Sequence, residues 1–340
     1  MGVLKIETRI LRNPTAEDFA LAGEKIRNGE LIAFPTETVY GLGADGFNAA
    51  ACDKIFAVKE RPSDNPLIEH VCNRKMVDRV AKNVPMTAEK IFAAFCPGPV
   101  TVILEKRDEI PDQVTAGLKT VGVRIPDHDY ARQFIAAADV PIAAPSANIS
   151  GRPSPTNARS VYEDLKDRIP LIIDGGSCDF GVESTIVDCT SEIPTILRPG
   201  AITREMLEEL LGNINLDPTL LGKHTNEQPK APGMKYRHYA PNAALKLFDE
   251  HNLDEVLFTV KNFQRVGILA STETLEKIPA NVCFDYGSQS NLKQIASNLY
   301  EGLRFFDDKE VDLIFAEKTV EDGLGFAIMN RLKKASSKDL

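Results

Sequence analysis

The sequence predicts an α/β protein of two domains, on three observations. Apolar runs of four to six residues alternate with longer amphipathic stretches, as strands and helices do when they follow one another in turn. At 340 residues the chain exceeds the roughly 250–300 residues at which a single core stops growing, so two cores are expected. Between 213 and 243 the periodicity lapses while Pro218, Pro229, Pro232 and Pro241 accumulate, which marks a linker. The expected organisation is therefore a first domain over 1–212, a linker over 213–243 and a second domain over 244–340.

In the first domain strands are expected at 31–35, 99–104, 121–126, 140–145, 170–174, 185–188 and 195–198, each a short apolar run. Helices are expected at 15–28, 49–59, 86–95, 130–137, 157–165 and 203–211. The first of these opens well: Thr15 can cap it, and Glu17 and Asp18 lie in the first turn, near the positive end of the helix dipole. Beyond the linker, strands at 245–248, 266–270, 282–286 and 311–316 are each followed by a helical stretch, the clearest at 292–306. That repetition describes a small Rossmann-like domain. It carries no GxGxxG, so the fold brings no dinucleotide with it.

Composition narrows the function. Forty Lys and Arg stand against 49 Asp and Glu, a net charge of −9, which argues against a wide, non-specific grip on nucleic acid because that grip rests on neutralising many phosphates. No apolar run approaches the roughly 20 residues that span a bilayer, and the start, MGVLKIETRILRNP, has charges among its apolar positions. The six cysteines form no CxxC pair and the five histidines no metal-ligand spacing. A cytoplasmic protein with reduced thiols is expected.

Several polar positions interrupt the apolar runs of the first domain. Alternation along 120–126 places Val121, Val123 and Ile125 on one face and Thr120, Gly122 and Arg124 on the other. Arg124 reads either as a surface arginine on a half-exposed strand or, with Gly122 leaving the backbone open, as a fork for a carboxylate or phosphate. Ala144, Ser146 and Asn148 would point the same way at the end of another strand; Ser and Asn bind anions and sugars, and they also form turns. Lys59 and Arg61 close a helix, with Pro62 pushing Arg61 out of the helical region. They serve the helix dipole or clamp a phosphate. His70 follows Asn65-Pro66 and reads as a packed or solvent-facing histidine. The segment 35–43, PTETVYGLG, reads as a hydroxyl-rich, glycine-bearing turn at the carboxyl end of a strand, where α/β sheets place ligands.

No one of these segments decides the function, but their order does. PTETVYGLG, KERPSDNPL, TVGVRIP, APSANISGRPSPT, GVESTIVD and LRPGAIT together resemble the YrdC-like domain of the threonylcarbamoyl-AMP synthases. GMKYRHYAP followed by a small Rossmann-like domain looks like the two-domain form of that family. The resemblance implies a twisted, mixed open sheet with a concave ligand surface, plus a smaller α/β/α domain. It also implies synthesis of L-threonylcarbamoyl-AMP from L-threonine, bicarbonate or CO2, and ATP, with release of pyrophosphate. The product would pass to a separate complex that modifies a tRNA adenosine beside the anticodon, with tRNA contact by this chain possible but not required, and no membrane involved.

By the same resemblance, Lys59, Arg61, Ser146 and Asn148 form the catalytic tetrad around the triphosphate. Asn65, Thr120, Ser154, Arg198 and Tyr236 join Arg61 and Ser146 on ATP, Tyr236 from a linker folded over the site. Thr38, His70, Arg124, Ala144 and Ser184 hold threonine, with Arg124 forking its carboxylate. Magnesium is expected with ATP, held mostly by phosphate oxygens and water, and no protein metal ligand stands out. Phosphoryl chemistry needs positioning and cations more than a protein nucleophile, which suits a domain without a Ser/His/Asp or Cys/His constellation. Two rivals remain: an RNA-binding module with a basic concave surface and no adenylyl transfer, and a carbamoyl-phosphate-using maturation factor. The latter would need zinc-finger or acylphosphatase-like segments that this sequence lacks.

Overall fold

The computed structural model describes residues 6–223, 228–233 and 239–337. Among them, twelve strands form one sheet and four a second. The strands of the first are β1 Arg9–Arg12, β2 Ile32–Phe34, β3 Gly41–Asp45, β4 Ile68–His70, β5 Ala81–Lys82, β6 Val100–Lys106, β7 Thr120–Arg124, β8 Ile142–Ala144, β9 Leu171–Asp174, β10 Thr185–Asp188, β11 Thr195–Arg198 and β12 Asn215–Leu216. Their order is β1-β9-β2-β3-β8-β4-β7-β6-β10-β11-β12, with β5 on β6. Parallel pairs such as β4/β7 mix with antiparallel ones such as β3/β8 and β6/β7. This is the mixed open sheet that was expected.

Eight helices cover it: α1 Ala16–Arg27, α2 Ala49–Lys59, α3 Arg74–Val77, α4 Met86–Phe95, α5 Asp112–Thr115, α6 Asp129–Ala138, α7 Ala158–Leu165 and α8 Arg204–Leu211. The first shows how closely local chemistry sets a boundary. Thr15 accepts from the Asp18 amide while Asp18 answers the Thr15 amide, a capping box. Phe19, Ala22 and Ile26, at helical spacing, then go into the core.

Three expectations change. Residues 41–43 are not part of the turn: Gly41, Leu42 and Gly43 run as β3 between β2 and β8. A Cβ on Gly43 would lie 2.5 Å from Ile142 Cγ2, so the glycine serves strand packing. Gly122 does not open a surface either, since a Cβ there would sit 3.2 Å from both Thr101 and Ile103. And the segment assigned to the linker begins as structure, with β12 extending the first sheet beside β11.

The second sheet contains β13 Ala244–Phe248, β14 Val266–Ala270, β15 Val282–Asp285 and β16 Leu313–Glu317, all parallel, in the order β13-β16-β14-β15. Helices α9 Leu253–Asn262 and α10 Thr272–Leu275 pack Val256 and neighbours against one face. Helices α11 Leu292–Phe305 and α12 Gly323–Ala335 cover the other, with Leu299, Leu303, Ile328 and Leu332 in its core. That second core also takes in Val39 and Val182 of the first domain and Tyr239 of the linker. The two domains therefore share an apolar seam, and no helix among the described residues is long and apolar enough to cross a membrane.

Candidate active site

A cleft opens where β4, β7 and β8 end, beside the start of β3. Strand alternation aims Arg124, the last residue of β7, into it, next to His70, the last residue of β4 and its registered partner. Ala144 closes β8 on the same wall. Arg124 is buried, its Nη2 donating to Thr38 Oγ1 at 2.8 Å and lying 2.9 Å from Glu37 Oε2. The Glu37 contact is close without being an aligned hydrogen bond, and Arg124 Nε is buried with no partner among the described residues. Burial, helped by the Arg124 charge, pushes the His70 imidazole down to about 3, so the ring is neutral and its Nδ1 donates to the Ile68 carbonyl at 3.1 Å.

A second cationic group faces this one. Helix α2 ends one residue earlier than Pro62 would dictate: Glu60 takes a left-handed conformation with φ 54°, and the Arg61 amide reaches back to Phe56 O at 3.0 Å. This reversal puts Lys59 beneath the loop after β8. There Lys59 Nζ donates to the carbonyls of Ser146 and Asn148, and the Ser150 amide returns a bond to Lys59 O. Ser146 Oγ donates to Asn148 Oδ1, and the Asn148 amide holds Ile149 O and Arg152 O. Burial drives the Lys59 ammonium well below its ordinary range, with Arg61 adding to the effect. Such a site welcomes negative charge.

The structure thus brings Lys59, Arg61, His70, Arg124, Ala144, Ser146, Asn148, Ser154 and Arg198 to the wall of one cleft. Thr38 and Ser184 lie just behind the wall: Thr38 holds Arg124, and Ser184 accepts from Arg198 Nη2 at 3.1 Å. Asn65 is buried with its side-chain oxygen unpartnered among the described residues, while its carbonyl accepts from Arg61 at 3.4 Å. Thr120 stands at the far end of β7 from Arg124, outside the cleft wall. Tyr236 lies outside the described residues.

Sequence reasoning missed Thr36, Tyr40, Arg152 and Glu183, which also line the cleft. Glu183 is the most consequential. Burial alone would raise its carboxyl, but the Arg331 and Arg198 guanidiniums and the Ser154 hydroxyl hold it down to about 2. Its main partners, Arg331 and Tyr300, come from the second domain, and no local sequence signal announces contacts of that range.

A family model described as "Telomere recombination" matches residues 24–200, and one described as "Threonylcarbamoyl-AMP synthase, C-terminal domain" matches residues 202–337. The threonylcarbamoyl-AMP synthase of Bacillus subtilis is 44% identical over 93% of this chain and 92% of its own length. That of Schizosaccharomyces pombe is 38% identical over 97% and 91%. Among solved structures, the crystal structure of P. abyssi Sua5 complexed with L-threonine superposes with a TM-score of 0.89 at 42% identity, covering 97% of each chain.

Proposed function

The chain belongs to the threonylcarbamoyl-AMP synthase family, and from that premise we propose that it makes L-threonylcarbamoyl-AMP from L-threonine, bicarbonate or CO2, and ATP. The threonine amine forms a bond to the CO2 carbon and gives up a proton, yielding a carbamate. A carbamate oxygen then bonds to the α-phosphorus as the α–β bridging P–O bond breaks, and pyrophosphate leaves. The product supplies the threonylcarbamoyl group to a separate tRNA-modifying complex in the cytoplasm.

The observation that carries this reading is the pairing of two cationic groups in one cleft. Arg124, poised by Thr38, offers a fork to the threonine carboxylate, and His70 and Ala144 wall the amino acid beside it. Lys59, Arg61, Ser146 and Asn148 surround the triphosphate, with Ser154 and Arg198 on the same side. Their work is to hold the reacting ends together and to offset the charge that grows on the leaving pyrophosphate. ATP enters as its magnesium complex. Glu183, the one carboxylate on the described wall, is fully engaged, and no group of three metal-ligating side chains occurs among the described residues. Phosphate oxygens and water would carry the ion.

Pyrophosphate release from ATP, measured with and without L-threonine and bicarbonate, tests the proposal. Dependence on both is expected. Salt-sensitive tRNA binding with no pyrophosphate would favour the RNA-binding module instead.

A further inference from the structure

We propose that the second domain completes the nucleotide side of the cleft: Tyr300 and Arg331 are positioning residues that, through Glu183, fix Ser154 and the end of β11 that carries Arg198. This inference rests on the reading of that side as an ATP site. Glu183 lies on the loop before β10, in the first domain, but its carboxylate is held from the second. The Tyr300 hydroxyl, on α11, lies 3.0 Å from Oε1 and 2.9 Å from Oε2, and Arg331 Nε, on α12, donates to Oε2 at 2.9 Å. Among the described residues, the remaining hydrogen-bond partner of this carboxylate is on the cleft wall: Ser154 Oγ donates to Oε1 at 2.6 Å.

Arg331 also ties two strand ends together. Its Nη1 donates to Pro199 O at 2.8 Å, directly after Arg198, and its Nη2 reaches Glu183 O at 3.3 Å. Arg198 in turn donates to the Ser184 carbonyl and hydroxyl, both at 3.1 Å. One guanidinium from the second domain thus sets the spacing between the loop that carries Ser184 and the end of β11 that carries Arg198.

The backbone of this loop is itself moulded on α11. Gly181 has φ 67°, and a Cβ there would lie 2.4 Å from Ala296 O; the next residue, Val182, sits in the core of the second domain. A further ion pair from the second domain holds the residue before Ser154. Arg304 of α11 donates to the carbonyl of Pro153 and to both oxygens of Asp164, at 3.2 and 2.8 Å. Tyr300, Arg331 and Arg304 are all buried and none of them lines the cleft, so they act through these bonds.

The experiment is a kinetic comparison on the full chain. Tyr300→Phe keeps the ring and removes the donor; Arg331→Lys keeps the charge and removes the fork. Each should raise KM for ATP about tenfold in the pyrophosphate assay, as expected for one hydrogen bond to a charged group, while for Tyr300→Phe, which leaves the backbone bonds of Arg331 in place, L-threonine affinity by calorimetry stays within twofold. Ser154→Ala should reproduce the ATP deficit, and adding Tyr300→Phe to it should add little more, because both act on one wall. If Arg331→Lys does not fold, Tyr300→Phe and the Ser154 pair still decide; if Tyr300→Phe does not fold, Arg331→Lys and its double variant with Ser154→Ala take their place. An unchanged KM for ATP, a fall in kcat alone, or fully additive effects in the double variant would overturn the proposal. Failure of the unaltered protein to bind ATP at all would instead undo the functional reading beneath it.

Discussion

Each of the two sheets presents a polar rim, and the rims differ in whether their chemistry is finished. At the carboxyl end of the second sheet, Glu317 accepts from the Ser271 amide at 2.7 Å, Thr274 Oγ1 at 2.6 Å, Gln289 Nε2 at 2.8 Å and the Tyr286 hydroxyl at 3.1 Å. Asp285 is answered by Thr272 and the Gly287 amide, and Asp249 by Lys318. In the first domain the rim is cationic, and Arg124 Nε and Asn65 Oδ1 are buried without partners among the described residues. Open α/β sheets hold ligands outside the carboxyl ends of their strands, yet one of these two rims has answered its own polar groups. A binding site needs groups that the fold leaves unanswered.

The largest effect expected from breaking this contrast comes from Arg124→Lys. Lysine keeps a cation beside the buried Glu37 but loses the planar fork. With hydrogen bonds to charged groups worth about 1.5–3 kcal/mol each, KM for threonine should rise roughly 10- to 150-fold. A threonine titration in the pyrophosphate assay checks this, and a KM within twofold of the parent would remove Arg124 from the carboxylate seat.

Next in size is a pH effect set by one buried carboxylate of the first domain. Glu69, on the other face of β4 from His70, has both oxygens buried without a hydrogen bond among the described residues. Burial first, and then the Asp45 charge, push its carboxyl up to about 8. Because the folded value lies above the unfolded one of 4.5, its contribution is fully present below pH 4.5 and is lost as pH rises through 8. Each tenfold difference in proton affinity between the folded and unfolded chains is worth ~1.4 kcal/mol, so the loss amounts to a few kcal/mol. Glu69→Gln should therefore flatten the decline in stability between pH 5 and pH 9, read as denaturant midpoints at each pH. Parallel curves for the two proteins would mean that Glu69 is paired or hydrated.

Much of the fold was legible because it depends on local pattern. The expected strand at 185–188 and the helices at 49–59 and 86–95 match β10, α2 and α4 residue for residue, since the apolar pattern that defines each lies within the segment itself. Strand β3 was illegible because two of its residues are glycines, which read as a turn until Phe34 and Ile142 are seen filling the space beside them. Strand β4, three residues long, is too short to show a period. In the site, Lys59, Arg61, Arg124 and Ser146 stood out as polar groups at the ends of apolar runs. Glu37 and Glu183 did not, because what sets them apart is a partner 87 or 148 residues away along the chain, Arg124 or Arg331.

The smallest expected effect sharpens the contrast from the finished side. Glu317→Gln replaces one acceptor oxygen with an amide that must face donors. The Ser271 amide cannot turn, so the glutamine oxygen should keep that bond and the Tyr286 bond. Its NH2 then faces Thr274 Oγ1, which can rotate to accept, and the Gln289 amide, which can flip. The network survives with a neutral member, at a cost of about 1 kcal/mol. Thermal unfolding should register that cost, while KM for ATP and for threonine stays unchanged, because no residue of this rim lines the cleft. A change in either KM would show that the second rim has a part in the reaction, and the division between a finished and an unfinished rim would fall.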